Sequence, residues 1–264
     1  MSEEIRLKTS IEVAHIRKAS HILRDLFREL SGIIRPGLHI SKIVEYCRCH
    51  FVKNGVRSAV QGFHNFPAPV CISINQVAAH GIPGDTVIGK GDIVSVDTAI
   101  VKDGWYSDAA WTYVAGEGDS TVKRLVKAAW QATLEGVRAA RAANRIGDIA
   151  AAVQERAHKY GCSVLDGFTG HGTGFALHEG PNVPFFGEAG TGQPIVPGMV
   201  LTVEPILAAG RGKVKTLCDN WTIVTSEGEL TAHFEHTIAV FGNRTEILTL
   251  EPEIFSTYTE YPPY

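Results

Sequence analysis

The spacing of apolar residues in this chain changes period several times, and each change marks an element. Ile16, Leu23, Leu26, Phe27 and Leu30 recur at helical spacing and predict one apolar stripe on a long first helix. Thr9-Ser-Ile-Glu12 ahead of it reads as a capping box, and Gly32 with Pro36-Gly37 ends it. Ile40, Ile43, Val44, Cys47 and Phe51, closed by Gly55, predict a second amphipathic helix with a glycine C-cap. From Val56 to Gly84 the pattern is irregular or strand-like, with Pro67, Pro69 and Pro83 limiting regular pairing. The period then drops to that of strands over Asp92 to Ile100 and Trp105 to Val114, with Asp103-Gly104 as a hairpin turn between them. Helical spacing returns from about Ser120 to Ala143, and again from Ile146 to Gly161 through Ile149, Ala150, Val153 and Ala157. A glycine-rich stretch runs from Gly167 to Gly174. Met199 to Pro205, Trp221 to Thr225 and Leu230 to Phe241 follow, read as an antiparallel meander with a turn at Glu227-Gly228.

Parts of this pattern occur twice. Gly91-Asp-Ile-Val-Ser-Val-Asp97 returns as Gly198-Met-Val-Leu-Thr-Val-Glu204, a glycine leading an apolar run that an acid closes. A second acid follows each time, Asp108 in the first copy and Glu235 in the second. Each copy has a helix ending in glycine upstream, and between helix and strand a histidine before a proline: His80-Gly-Ile-Pro83 and His178-Glu-Gly-Pro181. The period is about 100 residues, too long for a solenoid. No Ser/Gly-rich linker separates the copies. The reading is one α+β domain over residues 1–264, with related halves at roughly 36–116 and 144–242.

Composition sets outer limits. The chain has 264 residues, 44% hydrophobic and 20% charged, as an ordinary globular protein does. A net charge of -3 with no dense Lys/Arg block gives sequence-specific nucleic-acid binding no electrostatic support. Five cysteines without a CxxC fit packing residues in a reducing cytosol better than a disulfide framework. The charged N-terminus lacks a signal-peptide core. No stretch reaches the roughly 18 uncharged apolar residues of a membrane span. The expectation is a cytoplasmic chain without membrane contact.

The chemistry lies in the acids that close the strands. A carboxylate at the end of an apolar strand is costly to bury unless it is paired or bound to a cation. Folding about Asp103-Gly104 brings Asp97 and Asp108 within about two residues of opposition, close enough to share an ion. Asp97, Asp108, Glu204 and Glu235, with His171 as an imidazole, form a mostly oxygen donor set. Such a set disfavours a structural zinc site and suits divalent Mn, Fe or Co, with Zn also compatible and Mg less so. Two ions about 3.5–4 Å apart can share a bridging carboxylate and activate a water.

The same residues carry a family resemblance along nearly the whole chain. Cys71-Ile-Ser-Ile-Asn75, His80-Gly-Ile-Pro83, Asp97 with Asp108, Gly170-His171-Gly172, His178-Glu179, Val203-Glu204-Pro205 and Phe234-Glu235-His236-Thr237 occur in the order found in methionine aminopeptidases of the bacterial type I. The resemblance implies a pita-bread fold, with two similar halves of antiparallel sheet flanked by helices and a dinuclear metal site between them. Carried over residue by residue, it implies that Asp108 and Glu235 bridge both metals. Asp97 would bind one metal, and His171 with Glu204 the other. It implies further that His80 contacts the scissile amide nitrogen, that His178 stabilises the oxyanion, and that Glu204 relays a proton to or from the attacking water.

Val60, Phe63, Phe66, Cys71, Leu177 and Trp221 describe an apolar side-chain pocket by the same resemblance. Bacterial members commonly place cysteine at Val60, tyrosine at Phe63 and Phe66, and phenylalanine at Leu177, so the departures fall in the pocket and spare the metal set. The implied substrates are N-terminal-methionine peptides and nascent chains whose second residue is small, met transiently at the ribosome by a monomeric enzyme. Two alternatives stand beside this reading. One is a prolidase or Xaa-Pro aminopeptidase relative, although those carry an extra N-terminal domain and here the first repeat starts almost at once. The other is a metal-free binding module of the same fold, which loss of one or two ligands would favour. His233 and His236 read as packing residues, His50 and His158 as solvated helix positions, and His64 as part of the pocket segment. The Gly170–Gly174 stretch lacks the spacing of a phosphate loop.

Overall fold

The structure, a computed structural model, describes residues 5–257 and 261–264. Its first helix, Ser10–Leu30, begins as its sequence dictates. The Thr9 hydroxyl accepts the Glu12 N–H, and the Glu12 carboxylate accepts the Thr9 N–H in return. Ile16, Leu23, Leu26, Phe27 and Leu30 are all buried, so one stripe fixes how the helix lies on the sheet. The next helix, Ser41–Lys53, buries Ile43, Cys47 and Phe51. It also buries His50, which bonds Glu29 Oε2 at 3.0 Å and the Ile22 carbonyl at 3.1 Å, so the expectation of a solvated His50 is wrong. The second half supplies Ser120–Ala139 and Ile146–Lys159, which pack together. The first of these ends four residues before the expected Ala143, itself left-handed at φ 78°. A short C-terminal helix, Pro252–Thr257, follows the sheet.

The hairpin forms as its turn predicts. Asp103 (φ 51°) and Gly104 (φ 86°) both take left-handed backbone, as a type I′ turn requires. Ile93–Lys102 and Trp105–Val114 pair along their full length, with Asp97 opposite Ala110 and Ala99 opposite Asp108. Asp97 and Asp108 are therefore diagonal neighbours on one face.

That hairpin is the core of a nine-stranded antiparallel sheet. Its order is Arg57–Ser58, Ile93–Lys102, Trp105–Val114, Glu235–Val240, Val200–Val203, Thr169–Gly172 and Glu179–Pro184, with Cys71–Ile74 added to Ile93–Lys102 and Thr245–Ile247 to Glu235–Val240. The first four sequence-early strands thus meet the later ones where Trp105–Val114 pairs with Glu235–Val240. The helices cover the sheet, giving the α+β architecture expected. His178-Glu-Gly-Pro181 lies at the start of the Glu179–Pro184 strand, whereas His80 follows the short Val77–Ala79 strand.

The late strands do not form one meander. Val200–Val203 pairs with Glu235–Val240 in the main sheet, Ile206–Ala208 pairs with Thr231–His233 in a second sheet, and Ile223–Thr225 pairs with Val214–Thr216 and Val77–Ala79 in a third. The two long apolar runs are each interrupted once, at Glu204-Pro205 and at Phe234. Proline has no N–H to give a ladder. The register nevertheless continues across the gap: Val203 faces His236 and Ile206 faces His233, three residues on along one strand and three back along the other. Glu204 therefore falls opposite Glu235. Among the described residues no helix is long and apolar enough to cross a membrane.

Candidate active site

Strand register places the candidate ligands in two adjacent rows on one face. Cys71, Asp97, Ala110 and Glu235 are successive neighbours across four strands, and Glu204 stands next in that row. Two residues along lies a second row, in which Ala99 faces Asp108 and Thr237 faces Thr202. Threonine hydroxyls complete that row where backbone ladder bonds lapse. Thr237 Oγ1 accepts the Asp108 N–H at 3.1 Å and donates to the Asp108 carbonyl at 2.7 Å. Thr202 Oγ1 accepts the His171 N–H at 2.9 Å and donates to Glu204 Oε1 at 2.5 Å.

The donor set converges. Single ligand atoms of Asp108, His171 and Glu235 lie within 4.8 Å of one another. His171 Nε2 is 3.5 Å from Glu204 Oε1 and 3.8 Å from Asp108 Oδ2. The other ring nitrogen, Nδ1, sits 3.0 Å from the Gly172 carbonyl and so takes the proton, which leaves the Nε2 lone pair turned to the carboxylates. Asp97 lies outside the converging groups but lines the same cavity.

These carboxylates fit divalent cations. Asp108 Oδ1 and Glu235 Oε1 are buried without a hydrogen-bond partner among the described residues. Burial raises Asp108, Glu204 and Glu235 well above the usual carboxylate range, reinforced by one another's charge, and lifts Asp97 to about 7. Burial pushes His171 down to about 3, helped by His178. Among the described residues no lysine or arginine lines the cavity to offset four carboxylates. An oxygen-rich nest with neutral imidazole beside it suits a divalent metal centre.

The cavity above the rows has a volume of about 360 Å³. Its wall brings together all of Val60, Phe63, Phe66, Cys71, Leu177 and Trp221 with His80, His178, Asp97, Asp108, His171, Glu204 and Glu235. Phe66 and Trp221 meet edge to face at 5.1 Å, and Trp221 meets the His80 ring the same way at 5.7 Å. His178 abuts His171 at 4.3 Å and Phe63 at 5.2 Å between ring centroids. His80 has left-handed backbone (φ 52°), unusual for a residue with a side chain, and it is followed by a residue that must be glycine. A Cβ on Gly81 would lie 2.2 Å from the Ile72 carbonyl oxygen. Burial, with His178 nearby, lowers the His80 pKa, so its imidazole is neutral at physiological pH.

Several site residues escape the pattern in the sequence. Gly167, Phe168 and Thr169 line the cavity; His64 lines it too, in keeping with its place in the pocket segment. The glycine-rich stretch signalled the first three only as a loop. His233 is set aside by sequence reading as packing, yet a ring nitrogen lies within 4.8 Å of Glu204 and Glu235 ligand atoms, and its buried Nε2 has no partner among the described residues. The signal was its parity: on a strand it faces the same way as Glu235, two residues on. His236, facing oppositely, is indeed a packing residue, bonded to Thr249 Oγ1 at 2.9 Å and set against Trp111 and Trp130.

Comparison with known proteins agrees with this geometry. The model of metallopeptidase family M24 matches residues 14–241. The methionine aminopeptidase of Clostridium perfringens is 38% identical, over 93% of this chain and 99% of the relative. Methionine aminopeptidase 1 of Bacillus subtilis is 36% identical, over 92% and 98%. The crystal structure of methionine aminopeptidase from Thermotoga maritima superposes with a TM-score of 0.92 at 36% identity, covering 94% of this chain and all of the other. Family, full-length relatives and fold coincide: the chain belongs to metallopeptidase family M24, among the methionine aminopeptidases, and has their pita-bread fold.

Proposed function

We propose that this chain hydrolyses the peptide bond after an N-terminal methionine when the second residue is small, acting on peptides and nascent chains in the cytoplasm as a monomer. What supports the reading most is the meeting of four strand carboxylates and the His171 Nε2 lone pair beneath an apolar cavity. In this reading Asp97, Asp108, His171, Glu204 and Glu235 would hold two divalent ions. Fe, Mn or Co suit the donor set, and Zn is compatible. Ions held there supply a Lewis acid for the scissile carbonyl and lower the pKa of the attacking water.

The protein's own groups do the rest. Val60, Phe63, Phe66, Cys71, Leu177 and Trp221 receive an unbranched apolar side chain and offer no charge to a basic or acidic one. Glu204, held by the Thr202 hydroxyl, takes the proton of the attacking water and returns it to the departing amine. His178 donates to the oxygen on which negative charge develops. His80 steers the scissile nitrogen. Transient encounter with the ribosome belongs to the same proposal, since newly made chains are the source of initiator methionine.

The test is a peptide panel varied at positions one and two, run with several divalent metals. Met-Ala-Ser is expected to be cleaved, and Lys-, Glu- and Pro-leading peptides are not. Equal rates for Met, Lys and Glu at position one would refute the pocket. Efficient Met-Trp cleavage would refute the requirement for a small second residue, and preferential cleavage of Xaa-Pro substrates would favour a prolidase-like enzyme.

A further inference from the structure

The short segment ahead of the first helix runs behind the turn that carries His178. Ile5 bridges Gly180 in parallel, and the Lys8 N–H donates to the Gly198 carbonyl at 2.7 Å. Lys8 then turns its ammonium inward. Its side chain is 1% exposed, and it donates to Glu179 Oε2 at 2.5 Å, with the Glu179 side chain 4% exposed. The second oxygen, Glu179 Oε1, accepts the N–H groups of Phe175 at 2.5 Å and Ala176 at 2.8 Å. One carboxylate thus gathers three donors, two of them from the backbone of the turn that leads into Leu177 and His178.

Neither Lys8 nor Glu179 lines the cavity. A buried ion pair is also a poor stabiliser, because desolvation offsets its attraction and an apolar replacement is often neutral. What such a pair provides is fixed geometry. The Glu179 carboxylate binds two amides of the turn through Oε1, and the Lys8 ammonium, on Oε2, fixes where that carboxylate stands.

We infer that Lys8 and Glu179 are a positioning pair that sets the His178 ring over the cavity from behind. The inference rests on the reading of His178 as the oxyanion donor. A donor displaced by about 1 Å loses on the order of 10²-fold in rate while leaving substrate affinity intact. The pair therefore acts on turnover through His178 and has no separate route to the substrate.

Lys8→Met, His178→Ala and the double variant test it in the metal-loaded enzyme, with Met-Ala-Ser as substrate and metal content measured in parallel. Lys8→Met is expected to lower kcat about 10–100-fold with KM within about twofold and metal content unchanged. The double variant is expected to be no slower than His178→Ala alone, since the pair acts through that ring. Glu179→Gln, which keeps an acceptor for the two amides, is expected to retain more turnover than Glu179→Ala, and this comparison decides the matter should Lys8→Met not fold. Normal kcat in Lys8→Met beside a disabled His178→Ala would overturn the positioning role, as would losses that multiply in the double variant. Normal turnover in His178→Ala would instead overturn the reading of His178.

Discussion

Thr202 and Thr237 face each other across two paired central strands, and each hydroxyl serves a neighbouring candidate ligand. Thr237 closes on the backbone of Asp108, and Thr202 on the backbone of His171 and the carboxylate of Glu204. One residue type, used twice, ties both ends of the second ligand row to the strands beside it.

Thr202→Val should remove that tie without a change of shape. The His171 amide would lose its acceptor and Glu204 its donor. Outer-sphere partners of this kind are worth about 10–100-fold in metal affinity or activity. Thr202→Ser is expected to keep most of both. Metal titration calorimetry with parallel kinetics would read the difference, and equal behaviour of Val and Thr at this position would show that the hydroxyl is idle.

Asp108→Ala should leave a folded protein that binds metal poorly and turns over at least two orders of magnitude more slowly, more than an outer-sphere change costs. Removal of one buried carboxylate also relieves the repulsion on Asp97 and Glu235, so the metal-free variant is expected to melt no lower than the metal-free parent. Near-normal turnover at full metal loading would remove Asp108 from the ligand set.

The metal-free protein should lose stability as pH rises from about 7 to 9. Burial raises Asp108, Glu204 and Glu235 well above their ordinary values, and Asp97 to about 7. A raised carboxyl binds more protons folded than unfolded, so its stabilisation is present in acid and is lost as pH climbs through the folded pKa. The buried histidines pull the other way: His171, His233 and His236 are pushed down to about 3, which favours folding as pH rises. That opposing effect is complete above the unfolded histidine pKa of about 6.5. Beyond it the carboxyl slope remains, reinforced by the thiols of Cys47 and Cys71, which burial raises, and opposed by Lys8, which burial lowers. Saturating Mn or Co should flatten or reverse it, since metals take the deprotonated ligands. Melting curves in chelator and in metal would decide, and a chelated protein whose Tm climbs between pH 7 and 9 would contradict the account.

Trp221→Ala should blur the choice of side chain. Its indole forms one wall against Phe66 and braces the edge of His80. Methionine selectivity over leucine, as a ratio of kcat/KM, is expected to drop about tenfold, the scale of a methylene-sized misfit. An unchanged ratio would place Trp221 outside the specificity wall.

Much of this site was legible because period-two strands convert sequence position into a face. Asp97 and Asp108 could be set side by side from a type I′ turn and simple counting, and the structure has them diagonal as expected. The repeat exposed Glu204 and Glu235, since an acid at the end of an apolar run is conspicuous. What stayed hidden depended on contacts between distant strands. The switch of the late strands among three sheets is set by Pro205 and by partners far away in sequence. Lys8 and Glu179 meet across 171 positions, and no local pattern announces such a pair. His50 looked solvated because its partners, Glu29 and Ile22, belong to another helix. His233 reads as packing by residue type alone, whereas its strand parity with Glu235 turns it toward the carboxylates.

The strands of the two halves pair directly at Glu235 with Ala110 and His236 with Ala109. The ligand rows straddle that short junction, with Asp97 and Asp108 on one bank and Glu235, Glu204 and His171 on the other. During synthesis the first two acids emerge long before the rest, and two carboxylates alone are a weak ligand set for a divalent ion. On the proposed ligand set, tight metal capture is expected to wait for both halves to dock, with the metal acting as a clasp that closes only on a finished fold. Taking it away should loosen the junction first: amide exchange along Trp105–Val114 and Glu235–Val240 is expected to quicken in chelator before the outer helices respond.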